Sequence, residues 1–268
     1  MRTGVDAFAR AGLDPFVRRL YDYPRLASLA SAAINLIVPE RLVEVPVVRG
    51  PLRGSRLSLN LRKEKAFWFG IYETWVQSLM CDVLSDGGRV WDVGACFGYH
   101  TLLMCKLCGP RNVLAIEPDP NNQSRLADNL FHNGFNTTSV ASSAVGAAPG
   151  RLFLRRHSSD PGQSVVESFG EIEVGVTTLD ILLNAHAPPD LIKVDIEGTE
   201  NLMLQGATRL LQEVRPTWIL EVHGEPGEEA MELLRSHGYL VTGFGKGHEF
   251  AVDFPVGGPR HVFAEPCR

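Results

Sequence analysis

From Arg89 onward the chain alternates short, uniformly apolar runs with amphipathic stretches, and few folds accept that pattern. Residues 90–94, 113–117, 191–195 and 217–222 read as strands, and 99–107, 120–133, 199–212 and 228–237 as helices. Segments 138–145 and 151–155 add strands, and 239–244 with 249–263 read as a final pair. Strands that are apolar throughout need cover on both faces. The expectation is therefore an α/β fold, a mostly parallel sheet with helices on both faces.

Ahead of it lies a preface. Residues 4–40 read as helical, with breaks at Gly12, Asp14-Pro15 and Tyr23-Pro24. Segments 42–48 and 55–61 read as a hairpin around the turn chemistry of 49–54. Residues 67–84 read as one helix with Trp68, Tyr72, Trp75, Val76 and Leu79 along one side. This divides the chain into an N-terminal helical and hairpin extension, 1–65, and a main domain, 66–268.

Charge follows the same division. Residues 1–65 carry +6 and the remainder −11. An acidic main body repels phosphate backbones, so no nucleic acid is expected as substrate. The basic extension suits a solvated face, with peripheral contact to a membrane or a homodimer surface as functional alternatives. The apolar stretch 26–38 is too short to span a bilayer and starts late for a secretory signal. Five cysteines in 268 residues do not make a disulfide scaffold, so the expected setting is reducing and cytoplasmic.

In an open parallel sheet, ligands sit beyond the carboxyl ends of the strands. Here apolar runs give way to acids at Asp92, Glu117, Asp195 and Glu221. The loop from Asp92 through Gly94 and Gly98 offers glycine turns and a helix start with free N–H groups. Glu117, 23 residues after Gly94, is placed to accept both hydroxyls of a ribose. A dinucleotide site would carry G-x-G-x-x-G, whereas this loop is D-x-G-x-x-x-G. The extra acid suits a cationic amino-acid head, so S-adenosylmethionine fits better than a pyrophosphate.

Segments 69–73, 90–101, 117–120, 143–146 and 178–180, and above all Ile192-Lys193-Val194-Asp195-Ile196-Glu197-Gly198-Thr199-Glu200, resemble the FkbM family of methyltransferases over about residues 65–245. The resemblance implies the class I methyltransferase (Rossmann-like) fold, with an antiparallel C-terminal strand. It also implies S-adenosylmethionine as cofactor and a hydroxylated small molecule, a sugar or natural product, as acceptor. Carried over, Asp92, Gly94, Ala95 and Gly98 line the methionine end and Glu117 binds the ribose. Pro118 shapes the following turn, Ser143, Ala144 and Val145 frame the adenine, and Glu73 reaches the amino-acid head. Cys96 departs from the family's usual polar residue, which leaves only a backbone role there.

Methyl transfer from a sulfonium mainly requires alignment and exclusion of water, and a hydroxyl acceptor benefits from a base or cation nearby. Lys193, Asp195 and Glu197 share a face while the chain stays extended, as do Glu221 and His223. Asp195 or His223 would take the proton, with Lys193 beside them. Alternatively Asp195, Glu197, Glu221 and His223 would supply ligands to a divalent cation such as magnesium. Cys105 and Cys108 read as core. No phosphate-binding G-x-x-x-x-G-K-[ST] loop occurs, and neither Ser164 nor Ser168 has a G-x-S-x-G context. An NAD(P)-dependent oxidoreductase and a non-catalytic cofactor-binding protein are the competing readings.

Overall fold

The computed structural model describes residues 40–156, 164–167, 172–245 and 260–267, with Asn35 and Val38 ahead of them. The expected N-terminal helices, the apolar stretch 26–38, Ser168 and the first part of the last expected strand lie outside the described residues, apart from those two.

A hairpin opens the described chain: β1 (Leu42–Pro46) pairs antiparallel with β2 (Arg56–Asn60). Helices α1 (Lys65–Phe69) and α2 (Thr74–Val83) follow. The single helix expected over 67–84 is thus two. Gly70 ends α1 in the left-handed conformation, φ 69°, and Glu73 adopts φ 43° just before α2. A β-carbon at Gly70 would lie 2.2 Å from the Arg49 carbonyl oxygen, so the break lets the hairpin's turn close against the chain.

The main sheet contains β3 (Val90–Val93), β4 (Val113–Ile116), β5 (Ser139–Ala141), β10 (Leu191–Val194), β11 (Thr217–Val222), β12 (Tyr239–Phe244) and β13 (Arg260–Pro266). Its order is β12-β13-β11-β10-β3-β4-β5. Only β13 runs against the rest, between β12 and β11. This is the class I methyltransferase arrangement. Strand order reverses between β3 and β10, so a crevice opens beyond their carboxyl ends. Helices α3 (Tyr99–Cys108) and α4 (Pro120–His132) follow β3 and β4. Helix α5 (Leu179–Leu182) precedes β10, α6 (Glu200–Gln205) follows β10, and α7 (Gly224–Ser236) follows β11.

A second sheet was not foreseen. It joins β6 (Ala144–Val145), β9 (Ile172–Thr177), β7 (Gly150–Arg156) and β8 (Ser164–Glu167) in that order. The expected strand 138–145 therefore splits at Ser142-Ser143, its two halves pairing in different sheets. The helix expected to run to residue 212 stops at Gln205, and a π-helical turn, Leu210–Val214, follows.

Pleating sorts the strands between two cores. Trp91, Val93, Ile192, Val194, Trp218 and Leu220 pack with Met203, Leu204 and Met231 on one face. Val90, Ala115, Leu191 and Ile219 join Met80, Leu102 and Leu126 on the other, together with Leu57 and Leu59 of the hairpin. The hairpin thus shares a core with the sheet. Asp92 and Lys193 fall on this second face by the same alternation, and they are direct cross-strand partners. Glu221 and His261 are likewise partners between β11 and β13.

Candidate active site

A cavity of about 990 Å³ opens at the carboxyl ends of β3, β4 and β10. Gly94, Ala95, Glu117, Pro118, Ser143, Ala144, Val145, Lys193, Asp195 and Glu197 line it. Most of the expected cofactor positions are therefore brought to one wall.

Glu117, only 5% exposed, is gripped from several sides. Its Oε2 accepts from the Cys96 backbone N–H at 2.8 Å, and its Oε1 from the Asp119 N–H at 2.8 Å and the Asn122 amide at 3.4 Å. Burial outweighs these donors and pushes the carboxyl up to about 7. Cys96 thus acts through its backbone, held at φ 51°. Its neighbour Gly94 also has positive φ, 79°, and a β-carbon there would lie 1.9 Å from the Asp195 carbonyl oxygen. The room at Gly94 is needed by the β10 loop rather than by a ligand. Gly98, off the cavity wall, makes space for Leu126 in the same way, at 2.4 Å.

Two expected cofactor contacts lie behind the wall. Asp92 is the third of four residues in β3 and fully buried. One oxygen accepts from the Thr101 hydroxyl at 2.6 Å, and the other, 3.9 Å from Lys193 Nζ, has no hydrogen-bond donor. Burial raises its carboxyl pKa, with Lys193 and Thr101 opposing. It anchors Lys193 instead of reaching into the cavity. Glu73 also lies off the wall, its Oε1 3.4 Å from His261 Nε2 and its Oε2 3.7 Å from His100 Nε2. Burial would raise Glu73, but His261, His100 and Lys193 outweigh it and hold the carboxyl down to about 2.

Lys193 lies 3.3 Å from Asp195. Burial disfavours its charge, yet Asp195, Asp92, Glu73 and Glu221 together raise its pKa, so it is a fixed cation and no base. Asp195 is the first residue past β10, and the chain then turns sharply at Glu197, φ 53°. The extended run expected over 193–197 therefore ends early. Glu197 nevertheless reaches His223, 3.6 Å away, as does Glu221, also at 3.6 Å.

The surroundings of His223 do not suit a base. Its Nδ1 donates to Glu200 Oε1 at 2.7 Å, and hydrogen bonding to Glu200 and Glu221 raises the ring to about 10. It is protonated at neutral pH and sits off the cavity wall. Sequence reasoning passed over His100, on the wall and 5% exposed, where burial and then Lys193 lower the imidazole to about 4. No spacing in the sequence marks it.

A second part of the lining comes from the hairpin, the turn after it, α1 and α4: Asn60, Lys63, Glu64, Phe67 and Arg125, with Tyr72 and Phe97. Phe67 packs 4.1 Å from Tyr72 and 4.9 Å from Phe97, between ring centroids. The Arg125 guanidinium stacks 4.3 Å over Phe97 and pairs with Glu64 at 2.9 Å. Cys105 and Cys108 are free thiols on the second core face, as core residues should be.

The profile of the methyltransferase FkbM domain matches residues 92–241, more than half of the chain. The chain belongs to the FkbM methyltransferase family. Membership implies S-adenosylmethionine as the methyl donor, and the matched segment contains Asp92, Glu117, residues 143–145 and Asp195. Hexuronic acid methyltransferase AglP of Haloferax volcanii is 26% identical over 166 residues, 61% of this chain and 68% of that protein. A solved FkbM methyltransferase from Methylobacillus flagellatus is 20% identical with a TM-score of 0.49, covering 67% of this chain. The match spans only 44% of that structure. Precorrin-6y C5,15-methyltransferase from Geobacter metallireducens is 16% identical with a TM-score of 0.46, covering 74% of this FkbM-family chain and 90% of its own. Among the described residues no helix is long and apolar enough to cross a membrane.

Proposed function

We propose that this chain transfers the methyl group of S-adenosylmethionine to a hydroxyl of a sugar, with a hexuronate as the acceptor class. The supporting observation is this second part of the cavity's lining. It lies outside the family-matched residues except at Phe97 and Arg125, and it combines aromatic faces with polar and cationic groups. Aromatic rings suit the C–H faces of a sugar, and the polar groups suit its hydroxyls. Lys63 has no ion-pair partner among the described residues and is free to meet a carboxylate. The relative's hexuronic acid is the chemistry such a lysine would recognise.

In this reading Glu117 accepts the ribose hydroxyls and Ser143, Ala144 and Val145 enclose the adenine. The backbone of Gly94 and Ala95 meets the methionine end, where Asp195 takes the ammonium. Lys193 fixes Asp195 and is itself fixed by Asp92. The lost dinucleotide glycines and the family assignment leave the oxidoreductase reading without support, and a cytoplasmic setting accords with the five free thiols.

A divalent cation is the second reading. Ligand atoms of Asp195, Glu197 and His223 lie within 4.8 Å of one another. Glu200 on His223 Nδ1 is the kind of outer partner that orients a metal-binding imidazole. A cation would have to displace the proton that His223 Nε2 carries at neutral pH; with Glu221 these residues would then form a carboxylate-rich site, where it would lower a hydroxyl's pKa. Chelator should then abolish turnover, and magnesium or manganese restore it; full activity in chelator removes this reading.

The main test is methyl transfer to a uronic acid and to the matching neutral hexose. Lys63→Ala should raise KM for the uronic acid about two- to fivefold and leave the neutral sugar unchanged. Equal effects on both sugars would overturn the hexuronate assignment, and calorimetric binding of NAD in place of S-adenosylmethionine would overturn the whole reading.

A further inference from the structure

We propose that His100 is the base that takes the acceptor hydroxyl's proton, through Nδ1, with Glu73 behind it as its partner; this rests on the methyl-transfer reading above. The argument starts from a donor-only group. Trp75 Nε1 lies 3.3 Å from His261 Nδ1, and an indole N–H can only donate, so Nδ1 carries the lone pair and Nε2 carries the hydrogen. That Nε2, buried and with no hydrogen bond made, lies 3.4 Å from Glu73 Oε1 and 3.6 Å from Glu221 Oε2. The other Glu73 oxygen, sealed from solvent and without a hydrogen-bond donor, faces His100 Nε2 at 3.7 Å. An ionised carboxylate only accepts, so the hydrogen of the His100 ring belongs on Nε2. Nδ1 is then the lone-pair nitrogen. Only Nε2 of this ring is both sealed and unpartnered, and His100 lines the cavity, which leaves Nδ1 as the nitrogen turned toward the acceptor. At 3.7 Å the two atoms make no hydrogen bond, and the proposal requires the pair to close when substrate arrives.

Donor polarity therefore converges on Glu73, from Trp75 through His261 on one side and from His100 on the other. The same tautomer rules out Glu73, Glu221 and His261 as a metal site through Nε2, although their ligand atoms cluster within 4.8 Å. In the reaction the acceptor O–H proton passes to His100 Nδ1 as the oxygen's electron pair forms the new bond to the methyl carbon. The carbon–sulfur bond breaks with its pair remaining on sulfur, giving a neutral thioether. The resulting imidazolium faces Glu73 through Nε2–H and later releases its proton to water. The charged and titratable groups around the ring are Glu73 and Tyr72 ahead of α2, Tyr99 at the start of α3, Lys193 from β10, Asp195 just past it, and His261 from β13. The alternative base, Asp195, already has the Lys193 ammonium at 3.3 Å.

Nitrogen NMR of histidine-labelled full-length protein with S-adenosylhomocysteine tests the tautomer directly, His100 being assigned by its loss in His100→Gln. A neutral ring with hydrogen on Nε2 from pH 6 to 8 is expected; hydrogen on Nδ1, or an imidazolium at pH 7, would overturn the proposal. In turnover, His100→Gln should lower kcat by about 10²–10³-fold, with S-adenosylhomocysteine affinity within twofold and a smaller loss for an acceptor with a more acidic hydroxyl. A kcat within threefold of the parent refutes the base. A parent protein that binds the cofactor but methylates no hydroxyl refutes the functional reading instead, and the tautomer measurement still decides the role of His100.

Discussion

Replacing Glu117 by Gln exchanges one oxygen for an amide in a side chain whose two oxygens already tie the β3 loop to the β4 turn. The amide nitrogen would confront one of the two backbone N–H groups that the carboxylate now satisfies. In the holo form, two ribose hydroxyls would also lose a charged acceptor. Hydrogen bonds to charged groups contribute about 1.5–3 kcal/mol, against about 1 kcal/mol for neutral ones. The difference over two hydroxyls is about 1–4 kcal/mol, or roughly 5- to 900-fold in Kd. The same carboxyl makes affinity depend on pH. Its folded value is about 7 against 4.5 in the unfolded chain. The apoprotein therefore prefers the protonated form, and ionisation between pH 4.5 and 7 costs it up to about 3 kcal/mol of stability. Ribose hydroxyls donate to the carboxylate, so binding favours the ionised form. Affinity should fall as pH drops through 7, being roughly tenfold weaker at pH 6 than at pH 8. Calorimetric titration with S-adenosylmethionine across that range, for parent and Glu117→Gln, separates this effect from titration of the cofactor's own ammonium. A pH profile identical in the two proteins, or a variant within threefold of the parent at pH 8, would refute the reasoning.

Gly94→Ala combines a left-handed backbone with a 1.9 Å clash against the Asp195 carbonyl and should cost about 3 kcal/mol or more, with loss of cofactor binding. Gly54→Ala, at φ 83° with open space around it, should cost only about 1 kcal/mol, and urea unfolding of both compares them. Lys193→Met leaves the fully buried Asp92 without its cation and should destabilise by about 3–5 kcal/mol. Adding Asp92→Asn should recover much of that loss; a double variant no more stable than Lys193→Met would show that the pair is not what the core depends on.

The acids that mark a crevice were readable because four apolar runs end on carboxylates, at the strand ends where an open parallel sheet binds its ligands. Glu117, Pro118, residues 143–145 and Asp195 do line one cavity. Asp92 and Glu73 were readable as site residues but not as residues behind its wall. Their positions depend on which strand stands beside β3 and on the left-handed turn at Glu73, and neither is written in local spacing. His100 and Lys63 carried no signal, since each is an isolated residue whose meaning comes from neighbours far along the chain.

Periodicity alone was enough for the sheet, its two-sided cover and the place where a cofactor would enter, because strand and helix patterns are local and burial demands them. Register, tautomer and charge state were decided only in three dimensions. Lys193 is a fixed cation because four carboxylates from different elements surround it, and His223 is protonated because Glu200 and Glu221 reach it. Electrostatic energy depends on distance through the fold, and a sequence records only distance along the chain.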